Sequence, residues 1–72
     1  MKRKYTIFER LKQKPGVYRS NLYQLAIKLD KHVTTIENWM RIPAESHSSI
    51  PSDELYQIAD FLNVNINDLI NR

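Results

Sequence analysis

The stretch Leu22 to Arg41 reads L-Y-Q-L-A-I-K-L, then D-K-H, then V-T-T-I-E-N-W-M-R, and it decides the fold. Leu22, Leu25, Ala26 and Leu29 recur at the three-and-four spacing of one helical stripe. After the polar D-K-H break, Ile36, Trp39 and Met40 repeat that spacing. At about 100° per residue, Thr34, Glu37, Asn38 and Arg41 fall on the opposite side of the second segment, within an arc of roughly 100°. The pattern predicts two short helices joined by a tight turn, with Asp30 suited to the turn because Asp tolerates left-handed backbone. Small Ala26 leaves room for a crossing helix.

Working outward, Tyr5, Ile7, Phe8 and Leu11 predict a first helix over Tyr5 to Lys14, ended by Pro15 and Gly16. Val17 to Arg19 reads as a connector, and Ser20 or Asn21 offers a side-chain oxygen to cap the next helix. Tyr18 and Tyr23 read as packing residues, with base stacking the alternative, and Trp39 reads as core beside Ile36. Beyond the motif, Ile42 to Pro51 is a serine-rich loop holding two prolines, longer than most helix connections in bundles. Ser52 or Asp53 then caps a helix with the stripe Leu55, Ile58, Ala59 and Leu62, and Glu54 favours its dipole. Asn63 suits the exit, and Asn65 caps a last short helix carrying Ile66, Leu69 and Ile70. The fold class expected is all-α, five short helices with no room for a sheet.

A chain of 72 residues makes one small domain that hides only about 60% of the surface its unfolded form exposes. Residues 5–72 are expected to form that domain, preceded by a basic arm over 1–4 with nothing to pack. Cysteine is absent and the two histidines are isolated, so neither a disulfide framework nor a structural zinc site is expected. No apolar run approaches the roughly 18 residues of a membrane span, and no signal-peptide core follows Lys2-Arg3-Lys4. A cytoplasmic protein is the expectation.

Charge is segregated along the chain. Residues 1–42 carry ten Lys and Arg against three Asp and Glu, a net +7, whereas residues 43–72 carry one against five, a net −4. Such asymmetry fits one half facing a nucleic acid and one turned away, or simply two solvated surfaces. The arm reads either as a groove-reaching segment or as a solvated tail.

The outer face of the second motif helix holds residue types that read bases. Asn38 can pair bidentately with adenine, and Thr34 offers a hydroxyl and a methyl. Glu37 either accepts from a cytosine amino group or pairs with Arg41 at the four-residue spacing, which would turn Arg41 toward phosphate. Lys28, Lys31 and His32 lie near the turn, positioned for phosphate or merely solvated. Ser46-His47-Ser48-Ser49 lacks the oriented third group and oxyanion donors that nucleophilic catalysis needs, and Gly16 is the sole glycine, so no phosphate-cradling loop exists. No enzymatic activity, catalytic residue, metal or cofactor is expected.

These residues resemble the phage Cro and repressor type of helix-turn-helix protein, the Xre family. The resemblance rests on Leu25, Ala26 and Leu29, on Ile36 and Trp39, on Pro51-Ser52, on Leu55, Ile58, Ala59, Leu62 and Val64, and on Asp68-Leu69, and it covers roughly residues 20 to 70. It implies a compact five-helix, lambda-repressor-like bundle whose third helix enters the DNA major groove. Base contacts would then fall to His32, Val33, Thr34, Glu37 and Asn38. Phosphate contacts would fall to Asn21 and Arg41; Lys28 and Lys31 join them only through their own place near the turn, apart from the resemblance. A homodimer on double-stranded DNA is implied, with Asn65, Ile66, Leu69 and Ile70 at its interface and no membrane or small-molecule partner. The chain departs from the family where Asp30 replaces the turn glycine and Lys31 an aliphatic residue. It departs again in the loop after the third helix, which has no glycine, Lys or Arg over Ile42 to Ile50. The wheel also sets Val33 near the buried face of Ile36 and Met40, although the family pattern lets it touch DNA.

The function expected is a sequence-specific transcriptional regulator, Cro-like or repressor-like. The alternatives are a protein-interaction module such as an antitoxin, with Tyr18, Tyr23 and Ile27 as its exposed anchor, and a DNA-architecture factor in recombination.

Overall fold

Ile7, Leu11, Leu22, Leu25, Ile36, Ile58 and Leu69 are the largest side chains with essentially no exposure, and every helix contributes to this core. The computed structural model describes residues 2–71. In chain order the elements are α1 (Ile7–Gln13), α2 (Tyr18–Leu29), α3 (Val33–Met40), α4 (Ser52–Leu62) and a 3-10 turn (Ile66–Leu69). Helix α2 is central: it packs on α1, α3 and α4, and α4 in turn packs on the 3-10 turn. The radius of gyration, 11.2 Å, matches the roughly 11 Å of a compact chain of this length. Among the described residues there are no strands, and no helix is long and apolar enough to cross a membrane.

The architecture of the described residues is all-helical, with four α-helices and a 3-10 turn in place of the expected fifth helix. The last expected helix is a single 3-10 turn, in which the Asp68 carboxylate accepts from the Asn65 backbone N–H at 3.3 Å. Its one fully buried side chain, Leu69, anchors it. Two turns take the geometry their residues favour. Asp30 (φ 53°) and Asn63 (φ 57°) end α2 and α4 in the left-handed region. The next amides, of Lys31 and Val64, reach back to the Ala26 and Ala59 carbonyls at 3.0 Å, which satisfies groups the helix end leaves open.

Helix starts depart from expectation. Helix α1 begins at Ile7, leaving Tyr5 outside it, and α2 begins at Tyr18, four residues before Leu22. Neither Ser20 nor Asn21 is therefore a cap, since both lie inside the helix. Packing explains the earlier start of α2. The Tyr18 ring meets Phe8 edge-on at 5.6 Å, and its hydroxyl donates to Met40 Sδ at 3.6 Å. The chain enters through Gly16 at φ 106°, a conformation that a side chain would strain. At α4, Ser52 is the first helical residue and no side chain caps the N-terminus. Trp39, expected in the core, is half-buried against it.

The N-terminal arm also differs, because residues 2–4 have much to pack against. The Lys4 N–H donates to the Ile42 carbonyl at 2.8 Å, the Ala44 N–H to the Lys2 carbonyl at 3.0 Å, and the Thr6 N–H to the Leu69 carbonyl at 2.8 Å. The Asn71 N–H reaches the Lys4 carbonyl at 2.9 Å. The extended segment thus lies between the 42–44 stretch and the end of the chain, with isolated bridges at Arg3–Pro43 and Tyr5–Ile70. Tyr5 is buried, and its hydroxyl accepts from the Ile50 N–H at 3.1 Å. The Lys4 ammonium donates to the Ser46 and Ser48 carbonyls at 2.9 and 2.7 Å, fastening the long loop. Met1 lies outside the described residues.

Candidate nucleic-acid interface

Helix α3 is oriented by what it buries. Ile36 and Met40 are buried, so the opposite side, with Thr34, Asn38 and Arg41 exposed and Glu37 half-buried at its edge, is turned outward. His32 begins this surface: its Nδ1 accepts from the Thr34 N–H at 3.4 Å, capping the helix and leaving Nε2 as the outward ring nitrogen. In the neutral ring, an accepting Nδ1 places the proton on Nε2. Val33 is half-buried and packed on the core, so only part of it reaches the surface.

The expected Glu37–Arg41 pair does not form, as the ion pairs among the described residues are Lys28–Asp60 at 3.4 Å and Lys31–Glu54 at 3.7 Å. Instead Glu37 and Arg41 line one cavity together with Arg3, Phe8, Tyr18 and Met40. The Tyr18 phenol reports the charges there. Burial, and then the nearness of Glu37, pushes it above its ordinary value of 10.0, against the opposing pull of Arg19, Arg3 and Arg41. Arg3, which sequence reasoning left in the arm, belongs to this surface, its guanidinium 5.0 Å from the centroid of the Phe8 ring. Only the basic run at residues 2–4 hinted at it, since nothing local tells that run where to land.

One expected phosphate contact, Asn21, is corrected, and two others, Lys28 and Lys31, are found beside carboxylates. Asn21 is buried, and its amide donates to the Pro15 carbonyl at 3.2 Å and the Lys14 carbonyl at 3.5 Å. It ties the α1–α2 connection and has no side-chain donor free for DNA. Lys28 and Lys31 point to the carboxylates of α4, because the acidic half of the chain packs beside α2. Both lysines stay exposed, and such surface pairs compete only weakly with a phosphate. Arg41 alone of the four remains exposed without a carboxylate partner among the described residues.

The positions expected at a dimer interface are not one free surface. Leu69 is fully buried in the core, and Ile66 is half-buried against it. Asn65 is exposed, and Ile70 is part-exposed while bridging Tyr5 through the backbone. Leu69 must therefore be removed from that set: exposing it would open the core. Of the proposed anchor residues, Tyr23 and Ile27 are exposed, whereas Tyr18 is half-buried under the arm side of the domain.

Comparison with known proteins gives no match, whether to a protein-family model, a curated protein or a solved structure.

Proposed function

We propose that the chain is a sequence-specific regulator of transcription, Cro-like or repressor-like, that binds double-stranded DNA as a dimer through a helix-turn-helix formed by α2 and α3. The observation that carries this reading is the outer side of α3, where Thr34, Asn38 and Arg41 stand exposed above the buried Ile36 and Met40. Asn38 reads adenine and Thr34 offers its hydroxyl and methyl to neighbouring bases, while Arg41 takes a backbone phosphate. Each α3 enters the major groove of one half-site, the two lying about 34 Å apart, and the protein acts by occupying its operator.

The test is a titration of the protein on duplexes selected from a random pool and on unselected duplex, at several salt concentrations. A selected sequence should bind at least about a thousandfold tighter than random DNA. If none exceeds random DNA by even about tenfold, the proposed regulator is wrong.

One observation favours a second reading. Tyr23 is 46% and Ile27 78% exposed, and with Val33 they line an open apolar groove of the sort that anchors a protein partner. An interaction module such as an antitoxin would co-purify with a stoichiometric protein that shields both side chains. Bending of DNA with weak sequence preference would point instead to an architectural factor in recombination.

A further inference from the structure

The strapping of residues 2–4 onto the 42–44 stretch creates a concavity at the end of α3. Lys2, Arg3, Arg41 and Pro43 line it, in a volume of about 250 Å³. Three of these four residues are cations, and none is a carboxylate. Neither Lys2, Arg3 nor Arg41 pairs with a carboxylate among the described residues. Glu37 lines the adjoining cavity, which shares Arg3 and Arg41. Lys4 is excluded from the cluster because its ammonium is spent on the Ser46 and Ser48 carbonyls.

Like charges gathered in one concavity repel, and an anion seated among them removes that repulsion. The backbone fixes the gathering, through the Lys2–Ala44 and Lys4–Ile42 hydrogen bonds at 3.0 and 2.8 Å. Arg3 is oriented further by its place over Phe8. The cavity lies at the C-terminal end of α3, where the helix dipole repels anions. Binding therefore rests on the side chains, and two guanidinium forks suit the oxygens of a phosphate.

We propose that this cavity is a phosphate clamp, in which Arg3 and Arg41 share one backbone phosphate of duplex DNA with Lys2 beside them. The proposal rests on the DNA-binding reading of α3, and it gives the N-terminal segment a fixed role next to that helix.

The test measures binding against salt for the wild type, Arg3→Gln, Arg41→Gln, the double variant and Lys28→Gln, on selected and on random duplex. Each arginine variant should weaken binding to both duplexes alike, by about tenfold or more, the loss expected for a hydrogen bond to a charged group. The double variant should lower the slope of log K against log salt by about one, the value for a single phosphate. Lys28→Gln removes equal charge on the α4 side and should leave the slope in place. Arg3→Lys, which keeps the charge, should keep the wild-type slope, and thermal melts of every variant should show a folded domain.

If Arg3→Gln binds as the wild type does, or loses no more than Lys28→Gln, the clamp is overturned while DNA binding by α3 stands. A slope loss of about two in the double variant would mean two separate phosphates, and would overturn the shared site. A wild type that binds no duplex overturns the clamp and the DNA-binding reading together.

Discussion

Replacing Asn21 separates its structural place from a DNA contact. In Asn21→Ala the bond to the Pro15 carbonyl at 3.2 Å is lost, along with a weaker one to the Lys14 carbonyl at 3.5 Å. A neutral hydrogen bond contributes about 1 kcal/mol net, and a buried acceptor left short adds to its loss; Pro15 is exposed, so water repairs part of it, and the expected cost is about 1–2 kcal/mol. For a domain of this size each kcal/mol moves Tm by about 4–8 °C, so the variant should melt about 5–15 °C below the wild type. Asn21→Asp should be worse at neutral pH, because a buried carboxylate would face two carbonyl oxygens with no proton to donate. Its folded state favours the protonated acid over the ionised one. The variant's stability is therefore highest at low pH and falls as the pH rises through the carboxyl range. Ser20→Ala is the control: Ser20 is exposed inside α2 and should change stability by less than about 0.5 kcal/mol, whereas loss of a true cap costs about 1. Thermal melts from pH 4 to 8, with salt-dependent DNA titrations beside them, read all three. An Asn21→Ala protein that melts with the wild type but binds selected and random duplex alike about tenfold more weakly, at an unchanged salt slope, would refute the reasoning and return Asn21 to the phosphate contacts.

Other expectations follow from the same geometry. Asn38→Ala should weaken specific binding by roughly 1–3 kcal/mol with little change in salt slope, whereas Arg41→Ala should weaken all sequences alike; equal effects of both on selected and random duplex would contradict these roles. Lys4→Ala removes two charge-assisted bonds to the loop and should cost about 1–2 kcal/mol. Amide exchange over residues 42–50 should speed up, and unchanged protection there would show that the loop is held by other contacts. The Tyr18 phenol is held above its ordinary value of 10.0 in the fold, so its neutral form is favoured. Stability it contributes is present below the unfolded value and is lost as pH rises past it. Urea midpoints from pH 9 to 11 should fall more for the wild type than for Tyr18→Phe, and parallel curves would rule this out.

Local patterning determined much of this protein. The stripes of Leu22 to Met40 and Leu55 to Ala59 place α2, α3 and α4, since a helix repeats its face every three or four residues whatever lies far along the chain. Asp30 and Asn63 mark their turns for an equally local reason, the backbone preferences of Asp and Asn. Tertiary structure alone decided where the polar groups went. Asn21 has the chemistry of a cap, but the reversal at Gly16 buries its amide against Lys14 and Pro15. Glu37 and Arg41 have the spacing of an ion pair, yet they face a cavity built with Arg3 and Tyr18. Lys28 and Lys31 read as free cations until α4 brings Asp60 and Glu54 beside them. The basic N-terminus, which sequence alone leaves as a tail, is held between the 42–44 stretch and the chain end by backbone hydrogen bonds. Such bonds are made by groups common to every residue, so they carry no mark in the sequence, and only the packed helices bring their partners within reach.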